Sequence, residues 1–406
     1  MIDRRYKIAV LSTHPIQYQV PLFRRLAADP AIDLQVFFFS DHSVSGANDA
    51  GFGVRVKWDV PLLDGYRYEF LPSVGARDVL TFWRPFSYGL ARRLRQGAYD
   101  ALWVHGYGHR GLLAAIAAAR MSGMRLLLRG DSQLGDDPRN PTKLWLKRAM
   151  IPRLFQQFDG FLAIGTLNRE YYLRYGVAPE RIFMMPYAVD NAFFRERAEH
   201  AHRVREEFRA ALGLAPERPV VLYASKLQAH KRPMDLLAAH ARLLRGQGDG
   251  PHPYLLFVGD GEERAALETR AAELPGESVR LLGFRNQTEL PALFDLADLF
   301  VLPSEREPWG LVLNEAMNAA CPLVVSDHVG AAPDLVANGV NGFVYPCGDI
   351  AALADRISKV IENRERAEQM GRASLERVAQ FDFEADADGL FAAMDTLTNN
   401  ARRAAA

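Results

Sequence analysis

The chain has 406 residues, with 49 Lys and Arg against 49 Asp and Glu, so it carries no formal net charge. Hydrophobic residues make up 49% and charged residues 24%, the values of a globular protein, and the length suits two domains, each with a large core. The only cysteines, Cys321 and Cys347, make no metal-ligand spacing, which points to a reducing compartment. Charge is uneven along the chain. Residues 1–200 hold 27 basic and 19 acidic side chains, and the remainder holds 22 and 30. The first half is therefore expected to meet something anionic.

The opening MIDRRYKIAVLSTHPIQYQ has too short an apolar run for a signal peptide and reads as a first strand, Lys7 to Leu11. Leu112 to Ala119 is too short to span a bilayer. The expected location is cytoplasmic, with peripheral contact at the inner face of the membrane. Ile16 to Ala28 reads as a helix interrupted by Pro21, and Ile32 to Phe39 as a second strand. Residues 42–65 form a long excursion of the kind that is often functional. A helix near Phe86 to Arg95 leads to strand Ala101 to Val104. Helix Leu112 to Arg120, strand Arg125 to Leu128, helix Lys143 to Phe155, strand Phe161 to Ile164 and helix Asn168 to Tyr175 follow. This alternation implies a parallel, doubly wound sheet.

In such sheets ligands gather at the carboxyl ends of the strands. That rule nominates His14 after the first strand, His105 after another, and Arg129 and Asp131 after a third. Arg129 and Asp131 are candidate ligand contacts or, equally, a structural salt bridge. Two basic, aromatic stretches stand apart. One runs from Phe82-Trp83-Arg84 to Arg92, Arg93 and Arg95. The other holds Lys143, Trp145, Lys147, Arg148 and Arg153. Either suits an anionic lipid surface or a solvated helix face over a core stripe. No nucleic-acid motif accompanies the charge.

Pro186 to Asp190 ends the first domain, and the polar stretch 195–218 bridges to the second. Strand Val220 to Ala224 is followed by Ser225-Lys226-Leu227 and Lys231-Arg232-Pro233. Strand Leu255 to Val258 ends in Gly259-Asp260-Gly261, and Val279 to Phe284 is followed by Arg285 and Asn286. The densest signal is Pro303 to Asp327. It gives a loop after strand Ala297 to Leu302, a helix from Leu311, a stop at Pro322 and strand Leu323 to Val325, which is one β-α-β unit. Glu307 lies in the strand-end loop. Glu315 lies about one turn into the helix, whose first N–H groups, around Gly310, Leu311 and Val312, lack intrahelical partners and can hold a phosphate. Asp386-Ala387-Asp388 has a metal-binding form, but aspartates two apart on a helix do not share a face. It reads as a solvated face, and no metal site is expected.

Pro303-Ser304, Glu307, Pro308, Trp309-Gly310-Leu311, Glu315-Ala316-Met317, Pro322 and Val324-Val325-Ser326 together resemble the retaining glycosyltransferases of the GT-B fold, family 4. The resemblance implies an α/β architecture of two Rossmann-like doubly wound domains facing across a cleft. Residues 1–195 would bind the acceptor and 196–382 the nucleotide sugar, with a final helix, about 383–400, crossing back to the first domain. It implies metal-independent transfer (EC 2.4) from a nucleotide-diphosphate sugar, without a cofactor, to a glycan or lipid-linked acceptor, with retained configuration. In that reading Glu315 accepts from the ribose hydroxyls and Glu307 orients the donor sugar. Lys226, Lys231 and the helix start stabilise the leaving diphosphate. His105 binds the sugar, and His14 approaches the active site, with the acceptor as the ligand expected at Arg129 and Asp131. Gly259 and Gly261 let the backbone approach the nucleotide, while Phe284 and Arg285 cup the base. The HPIQYQVPLFRRLA start is similar to enzymes of bacterial surface polysaccharide, lipopolysaccharide or glycolipid assembly. The chain departs from the family in STHPIQY, where glycine is common, and in Lys226, where arginine is common. The alternatives are a nucleotide-sugar epimerase on a similar fold and a non-catalytic nucleotide-sugar-binding protein.

Overall fold

A computed structural model of the protein describes residues 5–46, 48–49, 54–55, 57–75, 81–135, 140–246 and 252–405. The chain divides into two compact units. One is drawn from Met1–Ala47, Val56–Tyr187 and Phe383–Ala406, the other from Asn48–Arg55 and Ala188–Asp382.

In the first unit the apolar runs form a seven-stranded parallel sheet. Its strands are β1 (Tyr6–Ser12), β2 (Ile32–Phe38), β3 (Tyr68–Phe70), β4 (Ala101–His105), β5 (Arg125–Arg129), β6 (Gly160–Ala163) and β7 (Ile182–Met184). The order is β7-β6-β5-β4-β1-β2-β3, so the chain winds outward from β1 and then returns to its other side at β4. The period of two sorts side chains to two faces. Ala9, Leu11, Phe37, Leu102, Val104, Leu126 and Leu128 enter one core, while Ile8, Val10, Val36, Phe38, Trp103 and Leu127 enter the other. Burying each large apolar side chain contributes about 1.5–3 kcal/mol, enough in sum to offset ordering the strands.

Pro21 does not interrupt a helix. The helix begins at Val20, with Pro21 in its first turn, where a missing N–H costs nothing. The helix expected from Phe86 starts instead at Leu90, and Phe86–Ser87 pairs with Ser73–Val74. The short strands β3 and β7 carry too few residues to show a period. Part of the 42–65 excursion lies outside the described residues; the rest includes a four-residue helix, His42–Ser45.

The last helix, Phe383–Ala405, belongs to the first unit and packs on β6, β7 and the helix Val20–Ala28. Its stripe of Ala387, Leu390, Ala393, Met394 and Leu397 is buried. Gly389 is required there, since a Cβ would stand 2.0 Å from the Met184 carbonyl oxygen. The Asp386-Ala387-Asp388 triplet departs from the expected solvated face. Asp386 precedes Leu390 by four residues, so it shares the buried stripe. It is 1% exposed, and its Oδ1 accepts from Arg129 Nη2 at 2.7 Å.

The second unit has a six-stranded parallel sheet of β8 (Val220–Ala224), β9 (Tyr254–Val258), β10 (Val279–Leu281), β11 (Leu299–Leu302), β12 (Leu323–Ser326) and β13 (Gly342–Tyr345). The order is β10-β9-β8-β11-β12-β13, again with a return across the first strand. Residues 195–218 are not a plain bridge. They fall largely in helices Asn191–His202 and Arg205–Ala211, the first capped by Asp190 Oδ1, which accepts from the Phe193 N–H at 2.9 Å. Helix Asn191–His202 packs on Leu290–Leu296. Among the described residues no helix is long and apolar enough to cross a membrane.

Removing one partner of a buried ion pair leaves the other charge uncompensated. Asp386→Ala is therefore expected to destabilise the protein by about 3–5 kcal/mol, whereas replacing Arg129 and Asp386 together with apolar residues costs less. Denaturant melts of the two variants check this, and equal losses would contradict it.

Candidate active site

Both sheets reverse direction beside their first strand, between β1 and β4 in one unit and between β8 and β11 in the other. Open α/β sheets bind ligands at such reversals, beyond the strand carboxyl ends.

In the second unit the loop after β8 is held by main-chain bonds to the loop after β9. Leu227 N–H donates to Asp260 O at 2.9 Å, and Glu263 N–H donates to Leu227 O at 2.9 Å. Gly259 and Gly261 make this possible. A Cβ on them would lie 2.0 Å from Ser225 O and 2.5 Å from Leu227 O, and both have positive φ. These glycines were expected to admit a nucleotide; the backbone they admit is that of the protein's own Lys226 loop. Tyr223 Oη, donating to Lys226 O at 2.9 Å, fixes the same loop.

Lys231 closes a short 3-10 turn, Ala229–Lys231, and reaches the loop after β11. Its Nζ donates to Glu307 Oε2 at 2.6 Å, with side chains only 13% and 14% exposed. The lysine and glutamate singled out from different motifs therefore meet across the sheet reversal. Glu307 is anchored through its carbonyl, which accepts from the Gly330 N–H at 2.8 Å. Trp309 is buried and donates Nε1–H to Asn314 Oδ1 at 2.9 Å. Gly310 starts the helix Leu311–Met317 at φ +97°, where a Cβ would press on Leu302 and Glu307. Leu311 and Val312 follow, half-buried.

Glu315 lies on the same helix. The residue is half-buried, yet desolvation alone pushes its carboxyl up to about 8. No hydrogen bond or ion pair to its carboxyl occurs among the described residues. A shielded carboxyl without a protein partner is the arrangement expected of a group that meets a ligand. Phe284 and Arg285 follow β10 and are half-buried. Arg285 Nη1 donates to Glu289 Oε1 at 3.1 Å, so its guanidinium is partly engaged in the helix start next to it.

In the first unit the carboxyl ends of β1, β4 and β5 are in register, with Leu11 opposite Val104 and His105 opposite Arg129. The groups beyond them form one polar cluster. Ser12 Oγ donates to Gln19 Oε1 at 3.2 Å, and Gln19 Nε2 lies 2.7 Å from His105 Nε2. Tyr187 Oη is 3.3 Å from the same nitrogen and donates to Asp131 Oδ1. Burial lowers His105 to about 4, against an opposing pull from Asp131, and the ring is neutral near pH 7. His14, bonded through Nδ1 to Thr13 Oγ1 at 2.9 Å, is also lowered to about 4, by burial and then by His42 and His105. Both histidines are thus hydrogen-bonding groups rather than cations.

Arg129 stands apart from its expected acceptor role. It is 1% exposed and donates to Asp386 and to the carbonyls of Met185 and Pro186 at 3.0 and 3.3 Å. Its guanidinium also lies 4.8 Å from the Tyr187 ring centroid, so it supports Tyr187 from behind. Asp131 is half-exposed and remains available at the surface of the cluster. Gln19 and Tyr187 were not read from the sequence. The signal for Gln19 is a polar residue immediately before the helix that follows β1; Tyr187 lies in a loop with no period at all.

Comparison with known proteins agrees with this layout. The family "Glycosyl transferase 4-like domain" matches residues 17–188, and "Glycosyl transferases group 1" matches residues 204–377. A D-inositol 3-phosphate glycosyltransferase of Segniliparus rotundus is 32% identical over 246 residues, covering 59% of this chain and 53% of the relative. The chain thus spans about half the length of that relative. Among solved structures, HepE of Anabaena in complex with UDP and glucose superposes with a TM-score of 0.69 at 20% identity, covering 95% of this chain and 98% of that one. The α,α-trehalose 6-phosphate synthase of Burkholderia multivorans gives 0.74 at 16% identity, covering 99% of each. At such identities these two likenesses speak for the fold alone. With one family matching each unit, the chain belongs to the group 1 glycosyltransferases of family 4, with the GT-B fold.

Proposed function

We propose that the protein transfers a glycosyl group from a nucleoside diphosphate sugar to an acceptor hydroxyl, with retained configuration. The observation that carries this reading is Glu315, a desolvated carboxyl with no hydrogen-bond or ion-pair partner among the described residues, on the helix that starts at Gly310. The two ribose hydroxyls of a nucleotide suit such an acceptor. HepE in complex with UDP and glucose, a protein of the same fold, supports this choice of donor.

The roles follow from charge. Leaving of the diphosphate builds negative charge that Lys231, Lys226 and the N–H groups of Leu311 and Val312 would stabilise, without calling on a metal ion. Glu307, held beside Lys231, orients the donor sugar through a hydroxyl. Neutral His105 hydrogen-bonds a sugar hydroxyl. His14 and Asp131 serve the acceptor, Arg129 positions Tyr187 beside them, and Phe284 and Arg285 border the base. Front-face attack then lets the departing phosphate take the acceptor proton. The acceptor proposed is a bacterial surface glycan or a lipid-linked glycan.

The surface of the first unit favours a lipid-linked acceptor at an anionic membrane. Trp83 and Trp145 are 65% and 70% exposed. Arg110 lies 5.8 Å over the Trp83 ring and 4.3 Å over that of Phe86. Leu146 and Met150 are exposed beside Trp145 on the helix Pro141–Phe155, which also carries Lys143, Lys147 and Arg148. Aromatic side chains interleaved with cations are suited to the lipid headgroup region.

Three outcomes are expected. Lys231→Ala lowers kcat by about 10²–10³-fold, as loss of a group that stabilises developing charge does; single-turnover kinetics with UDP-, GDP-, ADP- and TDP-sugars measure it, and an unchanged rate rejects the role. Glu315 gives a pH signature. Its carboxyl is mostly protonated at pH 7, donor hydroxyls bond best to the carboxylate, and binding therefore releases a proton. Nucleotide-sugar affinity should rise with pH by up to about tenfold per unit toward pH 8, and Glu315→Gln should flatten that slope in calorimetric titrations. Finally, sedimentation with anionic but not neutral vesicles should fade with added salt and with Trp83→Ala; equal binding to both vesicle types counts against the membrane.

A further inference from the structure

Arg232 immediately follows Lys231 and sits at φ 52° and ψ 44°. This left-handed conformation is unfavourable for a residue with a Cβ. Strain of this kind persists only where the surroundings over-determine it, and it concentrates at functional sites. The surroundings here are two carboxylates from different elements. Arg232 Nη1 donates to Asp235 Oδ2 at 2.7 Å, in the first turn of helix Pro233–Gly246, and Nη2 donates to Glu305 Oε2 at 3.3 Å. Glu305 stands two residues before Glu307.

The main chain follows the same path. Glu305 N–H donates to His230 O at 2.8 Å, and Arg232 N–H donates to Ala229 O at 3.0 Å. The loop after β8 and the loop after β11 are thus joined by a main-chain bond, by the Lys231–Glu307 pair and by the Arg232 guanidinium. Of these links, the guanidinium alone spans two acidic side chains. Its planar fork can hold both at once, which a lysine ammonium on a flexible stem does less well.

We propose that Arg232 is a positioning residue for the Lys231–Glu307 pair: bridging Asp235 and Glu305, it fixes the separation and orientation of the two loops. The left-handed backbone at Arg232 directs the side chain toward both carboxylates, which accounts for a strained arginine at a place where glycine would carry no strain. The kinetic consequence rests on the transfer reading above; the structural consequence does not.

The test uses the full chain with Arg232→Gly and Arg232→Lys. Glycine relieves the backbone strain while deleting the strap, and the two ion pairs lost are partly exposed, so the melting temperature should move by only a few degrees. Hydrogen exchange of the Glu305 amide, measured without ligand, should quicken by about tenfold or more, because its bond to His230 O opens locally. Exchange in the distant helix Ile350–Ile361 should not change. With a nucleotide sugar, kcat should fall by about tenfold while KM changes less, as expected when reacting groups are misplaced rather than lost. Arg232→Lys should recover part of both effects. Exchange at Glu305 that is unchanged in Arg232→Gly overturns the strap, and faster exchange with an unchanged kcat overturns its role in positioning. Should Arg232→Gly not fold, Arg232→Lys carries both readouts against the wild type. If the wild type turns over no nucleotide sugar, the transfer reading falls, while hydrogen exchange still decides the strap.

Discussion

The second unit is built around one interaction, the 2.6 Å contact between Lys231 Nζ and Glu307 Oε2. Two opposite charges removed from water repay their desolvation only when geometry is close and other bonds fix them. The sheet supplies that geometry. Strands β8 and β11 are neighbours in space but separated in sequence by two strands, so the loops that leave them come from distant parts of the chain and meet beyond the sheet reversal. Everything nearby serves to keep the two loops in place: Gly259 and Gly261 seat the lysine loop, Gly330 holds the Glu307 carbonyl, and Gly310 lets the chain turn into its helix without striking Glu307.

The first unit meets the same topological constraint with different chemistry. Its reversal lies between β1 and β4, and the groups there are neutral imidazoles, Tyr187 and Gln19, with the Asp131 carboxyl at the cluster's surface. Burial selects neutrality. With His105 and His14 both lowered to about 4, protonating either would place a cation in a desolvated cluster. Neutral hydrogen-bonding groups suit hydroxyl-rich ligands, whereas the lysines of the other unit suit a phosphate.

Much of this was legible in the sequence, for physical reasons that also mark its limits. Runs such as Val220 to Ala224 and Leu255 to Val258 are apolar because both faces of a parallel sheet are covered, and a run of this kind declares itself. Glu307 and Glu315 could be singled out as candidates because strand-end loops and helix starts are where open α/β sheets gather ligands, and Lys231 because its motif resembles the family's. What stayed hidden depends on contacts between residues far apart in the chain. Asp386 looked solvated because its partner Arg129 is 257 residues away. Gly259 and Gly261 were assigned to a nucleotide because nothing local shows that the carbonyls of Ser225 and Leu227 approach them. Nothing in the sequence marks Arg232, because a left-handed backbone at an arginine leaves no local signal. Pro21 differs, since proline is tolerated in the first turn of a helix and disruptive beyond it; the error lay in where the helix was started.

Glu315 shows how burial decides whether a carboxyl carries its charge. An ionised Glu315 would be a negative charge held in a desolvated place. Desolvation instead raises its pKa, so near neutral pH the folded protein holds the proton and the charge does not form. The proton is held more tightly in the folded than in the unfolded chain, so the stability this carboxyl contributes declines as pH rises from about 4.5 toward about 8. Ionising this carboxyl therefore lowers the stability of the fold in the same pH range in which, on the proposed reading, affinity for hydroxyl donors would rise.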